Sequence, residues 1–300
     1  QIAAAARVGL AQLYALEVRK EDAREQLTQV LATASDPAAI LAVLLEIEAV
    51  GPEPHPTIDS LLRFVENDPE DSEARRALGH HYIVVGRLDD ARPLLEQCLR
   101  DHPDDLRAAE SLAHCLIEIP DLPAAKELLQ AAPSGADQKP WYWRVRGYLA
   151  EQDQDWMAAT ECYEQAVRLA PNDPAMHHLL GTALGRREQS DQADEHFERA
   201  AALRTARKNL FDLHGKLIAT GVRMGGSGPD PDLCYLIGNT CRTLGLAESR
   251  EWFQEALARD PNHSPSRTAL RELEDAVPKD SGSQQEQTMR ESDRSPSRAR

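Results

Sequence analysis

Histidines are the first residues in this sequence whose type could support metal chemistry. Two adjacent pairs occur, His80-His81 and His177-His178, and the single histidines include His114 and His214. Imidazole nitrogens are common zinc ligands. Neighbouring residues of an α-helix point about 100° apart, however, so neither adjacent pair forms a chelate by itself. We therefore expect no metal site and no cofactor.

Cysteines could supply thiolate chemistry, and the chain contains five, at positions 98, 115, 162, 234 and 241. No two of them form a C-x-x-C pair, and Cys234 and Cys241 lie seven positions apart, on one face of a helix. This usage favours small buried side chains in a reducing compartment, with the cytoplasm preferred over other locations.

Catalytic constellations are also missing from the sequence pattern. No nucleophile with a base and an orienting acid can be proposed from spacing. The glycine-rich stretch 225–229 lacks the G-x-x-x-x-G-K-[ST] order of a phosphate-binding loop, and no strand precedes it. We predict that the chain is not an enzyme.

The elements that position these residues follow from a repeat of 34 residues. Four sequence columns keep this spacing through four consecutive units, three with small residues and one with large apolar residues. The columns are Gly79, Ala113, Gly147 and Gly181; Ala91, Ala125, Ala159 and Ala193; Leu95, Leu129, Tyr163 and Phe197; and Cys98, Ala132, Ala166 and Ala200. A repeat of this length is typical of a solenoid.

Each unit is predicted to be a hairpin of two helices, A and B. In residues 72–105 the apolar residues recur at three- and four-residue steps in two runs, separated by a short turn at 86–89. Small residues are expected where the two helix axes approach to about 8–10 Å. Acidic residues followed by Ser or Pro predict helix starts at Asp36-Pro37, Asp71-Ser72, Asp173-Pro174 and Asp230-Pro231.

This pattern resembles the tetratricopeptide repeat, whose helix A favours Trp, Leu-Gly and Tyr and whose helix B favours Ala, Phe and Ala before a Pro. The unit that matches best holds Trp143, Gly147, Ala159, Tyr163, Ala166 and Pro171 in these slots. The resemblance covers most of residues 2–277. It implies an all-α fold, a right-handed superhelical solenoid of antiparallel helical hairpins.

The 34-residue register also divides the chain. Residues 206–224 are expected to form one extra helix or a long extension of the preceding B helix, and 278–300 a disordered polar tail. A helix at 265–277 is expected to cap the solenoid. The hairpin units are predicted near 2–36, 38–71, 72–105, 106–139, 140–173, 174–207 and 231–263.

The resemblance places helix A on the concave side of the superhelix, where family members bind peptides. Trp143 fits a core slot, whereas Trp141 does not and is predicted to be exposed. The asparagines that some family members use to grip a C-terminal carboxylate are missing. The predicted peptide-binding residues are Arg76, His80, Glu110, His114, Trp141, Arg144, Tyr148, His178, Tyr235 and Asn239.

Charge and hydropathy narrow the function classes. The net charge of −16 disfavours nucleic acids and anionic membrane surfaces as partners. No apolar run approaches the roughly 20 residues that span a bilayer. The favoured hypothesis is a non-catalytic interaction scaffold that binds a protein or peptide segment. The identity of the partner and the oligomeric state stay open.

Two alternatives remain at this point. The chain begins with Gln1 instead of Met, so it is expected to be a processed protein or an excerpt of a longer one. It would then be the docking or regulatory arm of a larger enzyme or assembly machine. The second alternative is an RNA-binding helical repeat of similar length, against which the acidic balance argues.

Overall fold

The computed structural model describes residues 6–11, 14, 20–34, 36–49, 54–222 and 226–276. The predicted tail at 278–300 and residues 223–225, which include the first glycine of the glycine-rich stretch, lie outside the described residues. Within these ranges the chain is all-α, a right-handed solenoid of antiparallel helical hairpins, as the repeat predicts.

Fourteen labelled helices follow a short helical segment at 6–11, and a 3-10 turn at Ala136–Gln138 separates α7 from α8. The first half consists of α1 Lys20–Leu31, α2 Pro37–Ala49, α3 Pro54–Asn67, α4 Ser72–Val84, α5 Leu88–Asp101, α6 Leu106–Glu118 and α7 Leu122–Gln130. The second half consists of α8 Pro140–Gln152, α9 Trp156–Leu169, α10 Pro174–Arg186, α11 Ser190–Ala219, α12 Pro231–Thr243, α13 Ser249–Arg259 and α14 Ser264–Ala276.

Aspartates start many of these helices, as the sequence predicts. The carboxylate of Asp71 accepts hydrogen bonds from two backbone N–H groups at the start of α4, and Asp105 does the same for α6. Asp173 and Asp230 cap α10 and α12. Each cap satisfies N–H groups that the helix itself leaves without a partner, and therefore fixes where the A helix begins.

The small-residue column marks the points where the A and B helices of a hairpin cross. A Cβ added at Gly79 would lie 2.9 Å from Cγ of Leu95, and one added at Gly181 would lie 2.9 Å from Cε1 of Phe197. Real Cβ atoms avoid such distances, so both crossings require a residue without a side chain. In these hairpins the glycine and the large apolar side chain are therefore the two halves of one helix contact.

Helix α11 continues well past the end of its repeat. It runs unbroken for 30 residues, about 45 Å, and buries Leu203, Leu210 and Leu217 along one side. Residues 206–219 are therefore continuous with the preceding B helix, while residues 223 and 224 of the predicted 206–224 segment lie outside the described residues.

The N-terminal hairpin α1–α2 packs against the far end of the chain. Helix α2 contacts α11 and α13 as well as α1, whereas α3 packs on α4, so the two helices of the predicted 38–71 unit have different neighbours. The consecutive residues Leu41, Ala42 and Val43 point about 100° apart around α2, and all are buried. A helix that is apolar around most of its circumference must be covered from several directions.

Candidate functional site

The A helices α4, α6, α8, α10 and α12 carry all the predicted binding residues except Trp141 at two positions relative to the crossing residue. One set lies three residues before it and the other one residue after it, so the repeat brings each set to the same side of successive helices. The first set is Arg76, Glu110, Arg144, His178 and Tyr235, and the second is His80, His114, Tyr148, Thr182 and Asn239. We call these two sets the A-helix face.

Two of the predicted residues are not accessible. Arg76 is only 6% exposed, and its guanidinium lies 3.4 Å from Asp105 and 3.7 Å from Glu73. Trp141 is 5% exposed, which makes its predicted exposure wrong, and within the described ranges its Nε1 has no hydrogen-bond partner. These two side chains are part of the packed interior instead of the surface.

The neighbouring Trp143 takes the more exposed position. It is half-buried, and its Nε1 donates to the backbone carbonyl of Asp137 at 2.6 Å. The guanidinium of Arg146 lies 5.0 Å from its ring centroid. The sequence assigned the core slot to the wrong tryptophan of the pair, because the short 3-10 turn before α8 offers Trp143 a hydrogen-bond partner outside the core.

The best-defined part of the A-helix face joins α6 to α8. The Glu118 carboxylate lies 3.6 Å from Nη2 of Arg144 and 3.9 Å from Nε2 of His114. Burial lowers the pKa of His114, and the charge of Arg144 lowers it further, against the opposite effect of Glu118. His114 is therefore held towards its neutral form, able to donate and to accept one hydrogen bond.

Tyr148 lies on the same helix as Arg144, one turn further along, and is half-buried. Burial raises the pKa of its phenol, and the nearby Glu151 adds to the effect, so the hydroxyl is a neutral hydrogen-bonding group. Glu118 was not predicted as a site residue. The signal that could have identified it is its position four residues after His114 on the same helix.

The remaining predicted residues lie on both sides of this group. Nδ1 of His80 lies 3.5 Å from Oγ of Ser111, which links α4 to α6, while Glu110 is exposed on α6. The exposed His178 ring lies 5.4 Å from the ring of Phe197.

The last unit presents an aromatic residue and an amide. The Tyr235 ring lies 5.9 Å from the rings of both Phe253 and His263, which hold it in place. One turn later, Oδ1 of Asn239 accepts a hydrogen bond from Arg242 at 2.8 Å. The A-helix face thus combines fixed aromatic rings with polar groups that point to the same side of the solenoid.

Catalytic and metal chemistry find little support in the described part of the chain. All five cysteines are buried and unbridged, and burial raises the pKa of Cys115 to about 11 and that of Cys234 to about 12. Neutral buried thiols are poor nucleophiles and poor metal ligands. Among the described residues, no cluster of three or more His, Cys, Asp or Glu side chains could hold a metal ion.

None of the described helices combines the length and the apolar character that are needed to cross a bilayer.

Comparison with known proteins identifies the repeat. Residues 85–149 match the family model of the tetratricopeptide repeat. The peroxisomal targeting signal receptor of Saccharomyces cerevisiae is 26% identical over 170 residues, which cover 51% of this chain and 27% of the receptor. The match therefore spans only about a quarter of that relative's length.

Solved structures give similarities at lower identity. A fragment of MamA from Desulfovibrio magneticus is 20% identical with a TM-score of 0.43, covering 58% of this chain and 98% of its own. A tetratricopeptide repeat protein from Parabacteroides merdae is 12% identical with a TM-score of 0.43, covering 90% of this chain and 98% of its own.

Proposed function

The chain contains tetratricopeptide repeats, and we propose that it is a non-catalytic scaffold whose A-helix face binds an extended segment of a partner protein. The observation that carries the proposal is the Glu118–Arg144 contact between successive A helices, with His114 and Tyr148 beside it. Polar and aromatic groups from two repeats converge there. Such mixed groups are typical of protein interfaces.

The Glu118–Arg144 ion pair is suited to replacement by a contact between Arg144 and a ligand. Glu118 is 50% exposed, and the pair spans 3.6 Å without a short hydrogen bond. Exposed pairs of this kind contribute little to stability. A carboxylate or backbone carbonyl of an incoming segment could therefore replace Glu118 on Arg144 at small cost, and Tyr148 would contact the same segment.

The repeat supports an extended ligand in preference to a compact one. Equivalent positions recur on successive A helices, so a segment lying across them meets a similar arrangement of side chains in each unit. Tyr148 and Tyr235 would serve as aromatic anchors, which are enriched among the residues that dominate binding energy. The relative named as a targeting signal receptor agrees with a ligand of this class.

The experiment compares the two faces of one hairpin by site-specific photo-crosslinking in cells. A photoreactive phenylalanine analogue replaces Tyr148 on α8 or Arg168, an exposed residue on α9. We expect partner peptides to crosslink from position 148, and their sequence to map one contiguous segment. Crosslinks from position 168 alone would overturn the proposal.

Loss of binding in a surface variant gives the second measurement. The photoreactive analogue is then placed at position 239, and the double variant Arg144→Ala with Tyr148→Ala should abolish its crosslinked product. The double variant Met157→Ala with Arg168→Ala on the B helix should leave that product unchanged. Met157 is 62% exposed, so its removal should not disturb the fold. Equal loss in both double variants would contradict an assignment to the A-helix face.

A further inference from the structure

The second half of α11 has an exposed face that the packing of the repeats does not use. Phe211 is 56% exposed and Ile218 is 43% exposed, and they lie seven residues apart on the same side of the helix. Gly215 lies between them, and a Cβ added there would meet no atom within 4 Å. Two apolar side chains about 10 Å apart therefore border a gap on the helix surface.

Positive charge is concentrated in this half of α11. Residues 204–218 contain four cations and one carboxylate, in a chain whose net charge is −16. Arg204, Lys208 and Lys216 are exposed, and none of them makes an ion pair with any residue in the described ranges. The preceding half of the helix, residues 190–203, has the opposite balance, with four carboxylates and one arginine.

The helix dipole does not account for so extended a cationic stretch. Cations are favourable near a helix C-terminus, but the effect is confined to the last turn. Lys216 lies in that turn, whereas Arg204 and Lys208 lie three to four turns before the end of α11. Neither the helix dipole nor an ion pair among the described residues accounts for Arg204 and Lys208.

We propose that this surface docks an acidic amphipathic helix of a partner protein. We call it the α11 outer face and define it by Arg204, Lys208, Phe211, Gly215 and Ile218. An apolar side chain of the partner would enter the gap over Gly215, between Phe211 and Ile218, as a knob enters a hole. Acidic side chains beside it would pair with Arg204 and Lys208, and the long-range charge would favour encounter.

Charge and shape favour this occupant over others. A second copy docked through the same face would bring like charges together. A bilayer would gain nothing from a gap at a glycine, since close approach at small residues benefits a second helix. The site also lies on a B helix and its extension, so it is separate from the A-helix face.

The first test measures binding of a synthetic peptide to the full chain by fluorescence anisotropy. The peptide has about 18 residues, five helical turns, with leucines at helical spacing flanked by glutamates, and a scrambled peptide has the same composition. We expect saturable binding of the patterned peptide alone. Two double variants should each weaken this binding about tenfold or more. They are Phe211→Ser with Ile218→Ser, and Arg204→Glu with Lys208→Glu.

Controls separate docking from folding and from the A-helix face. Met157→Ser, at a side chain 62% exposed on α9, should leave peptide affinity unchanged. Gly215→Leu should block the gap and weaken binding while the chain becomes no less stable, because leucine is the better helix former. Arg144→Ala with Tyr148→Ala should retain peptide binding, so failure of one proposal is distinguishable from failure of the other.

Three outcomes would overturn the inference. In the first, the scrambled peptide binds as tightly as the patterned one. In the second, none of the outer-face variants changes the affinity for the patterned peptide. In the third outcome, these variants would abolish binding to phosphatidylserine vesicles or to poly(U) RNA and leave peptide affinity unchanged, which would identify a membrane or a nucleic acid as the occupant.

Discussion

Gly147 and Tyr163 are fitted to each other, because a Cβ added at Gly147 would lie 2.4 Å from Cε1 of the Tyr163 ring. Tyr163 is fully buried, and its hydroxyl donates a hydrogen bond to Glu151 at 2.7 Å. The ring is therefore held at both ends and cannot move aside. The crossing of α8 and α9 depends on the absence of one methyl group.

The first prediction concerns this crossing. Gly147→Ala should lower the free energy of unfolding by about 1–3 kcal/mol, because the added methyl group overpacks the interior. The matched control is Gly215→Ala, also inside a helix, where a Cβ meets no atom within 4 Å. In that variant the free energy of unfolding should rise by about 0.4–1 kcal/mol. Urea unfolding measures both, and the same sign of change in the two variants would contradict the assignment.

The hairpins could be predicted because each depends on residues close in sequence. Gly147 and Tyr163 are sixteen residues apart, and the same relationship recurs from unit to unit as a visible column. The aspartate caps are equally local, since the Asp71 side chain accepts from N–H groups two and three residues later. Local geometry that repeats leaves a periodic signal in the sequence.

The position of α2 could not be predicted, because it depends on contacts between distant parts of the chain. Its apolar side chains share a core with Leu210 and Trp252, and no spacing rule connects these residues. The exchange of Trp141 and Trp143 has a local cause that the 34-residue columns do not record. The B helix α7 ends after only nine residues, and the 3-10 turn that follows it accepts a hydrogen bond from Trp143.

The contact between the two ends of the solenoid gives the second prediction. Arg24 donates hydrogen bonds to Glu48 at 2.8 Å and to Glu248 at 2.6 Å, and Glu248 is only 5% exposed. Burial raises the pKa of Glu248, which reflects the cost of its charge. Arg24→Met should therefore destabilise the chain by about 3–5 kcal/mol, because a buried carboxylate loses its partner.

Two variants test whether the uncompensated charge is the cause. Arg24→Met combined with Glu248→Gln should recover part of the loss, since the neutral amide is less costly to bury. Arg87→Met, which removes an exposed ion pair with Asp90, should change the thermal midpoint little. If Arg24→Met had no greater effect than Arg87→Met, the α1–α2 contact would not depend on this ion pair.

Cysteine reactivity gives the third prediction. Burial raises the pKa of all five thiols, to about 11 for Cys115 and about 12 for Cys234. Iodoacetamide reacts with the thiolate, so the native chain should be alkylated slowly and all five sites rapidly after denaturation in guanidinium. Mass spectrometry at successive times gives the rates. A cysteine modified at the same rate in both states would not be buried.

The fourth prediction concerns the histidine pair between α10 and α11. Nε2–H of the buried His177 donates to the Pro171 carbonyl at 3.0 Å, which leaves its Nδ1 as the acceptor. Nδ1 of His196 lies 2.9 Å from it and must therefore donate. Burial lowers the pKa of His196, and the neighbouring His177 ring lowers it further, against smaller opposite effects of Glu195 and Glu164.

A lowered histidine pKa makes the fold sensitive to acid. Below about pH 6.5 the unfolded chain binds a proton at His196 more readily than the folded chain does, so stability falls as the pH is lowered. Above that pH this contribution is constant. The loss approaches about 1.4 kcal/mol per pH unit while the folded histidine stays neutral.

Guanidinium unfolding at about pH 7.5 and about pH 5.5 checks this difference. The wild-type chain should lose more stability between the two values than His196→Gln, whose amide does not titrate in this range. His102→Gln, at an exposed histidine, controls for the loss of one imidazole. Because other groups also titrate, the comparison rests on the difference between variants. An equal loss in wild type and His196→Gln would show that the pair accepts a proton in the folded chain as readily as in the unfolded one.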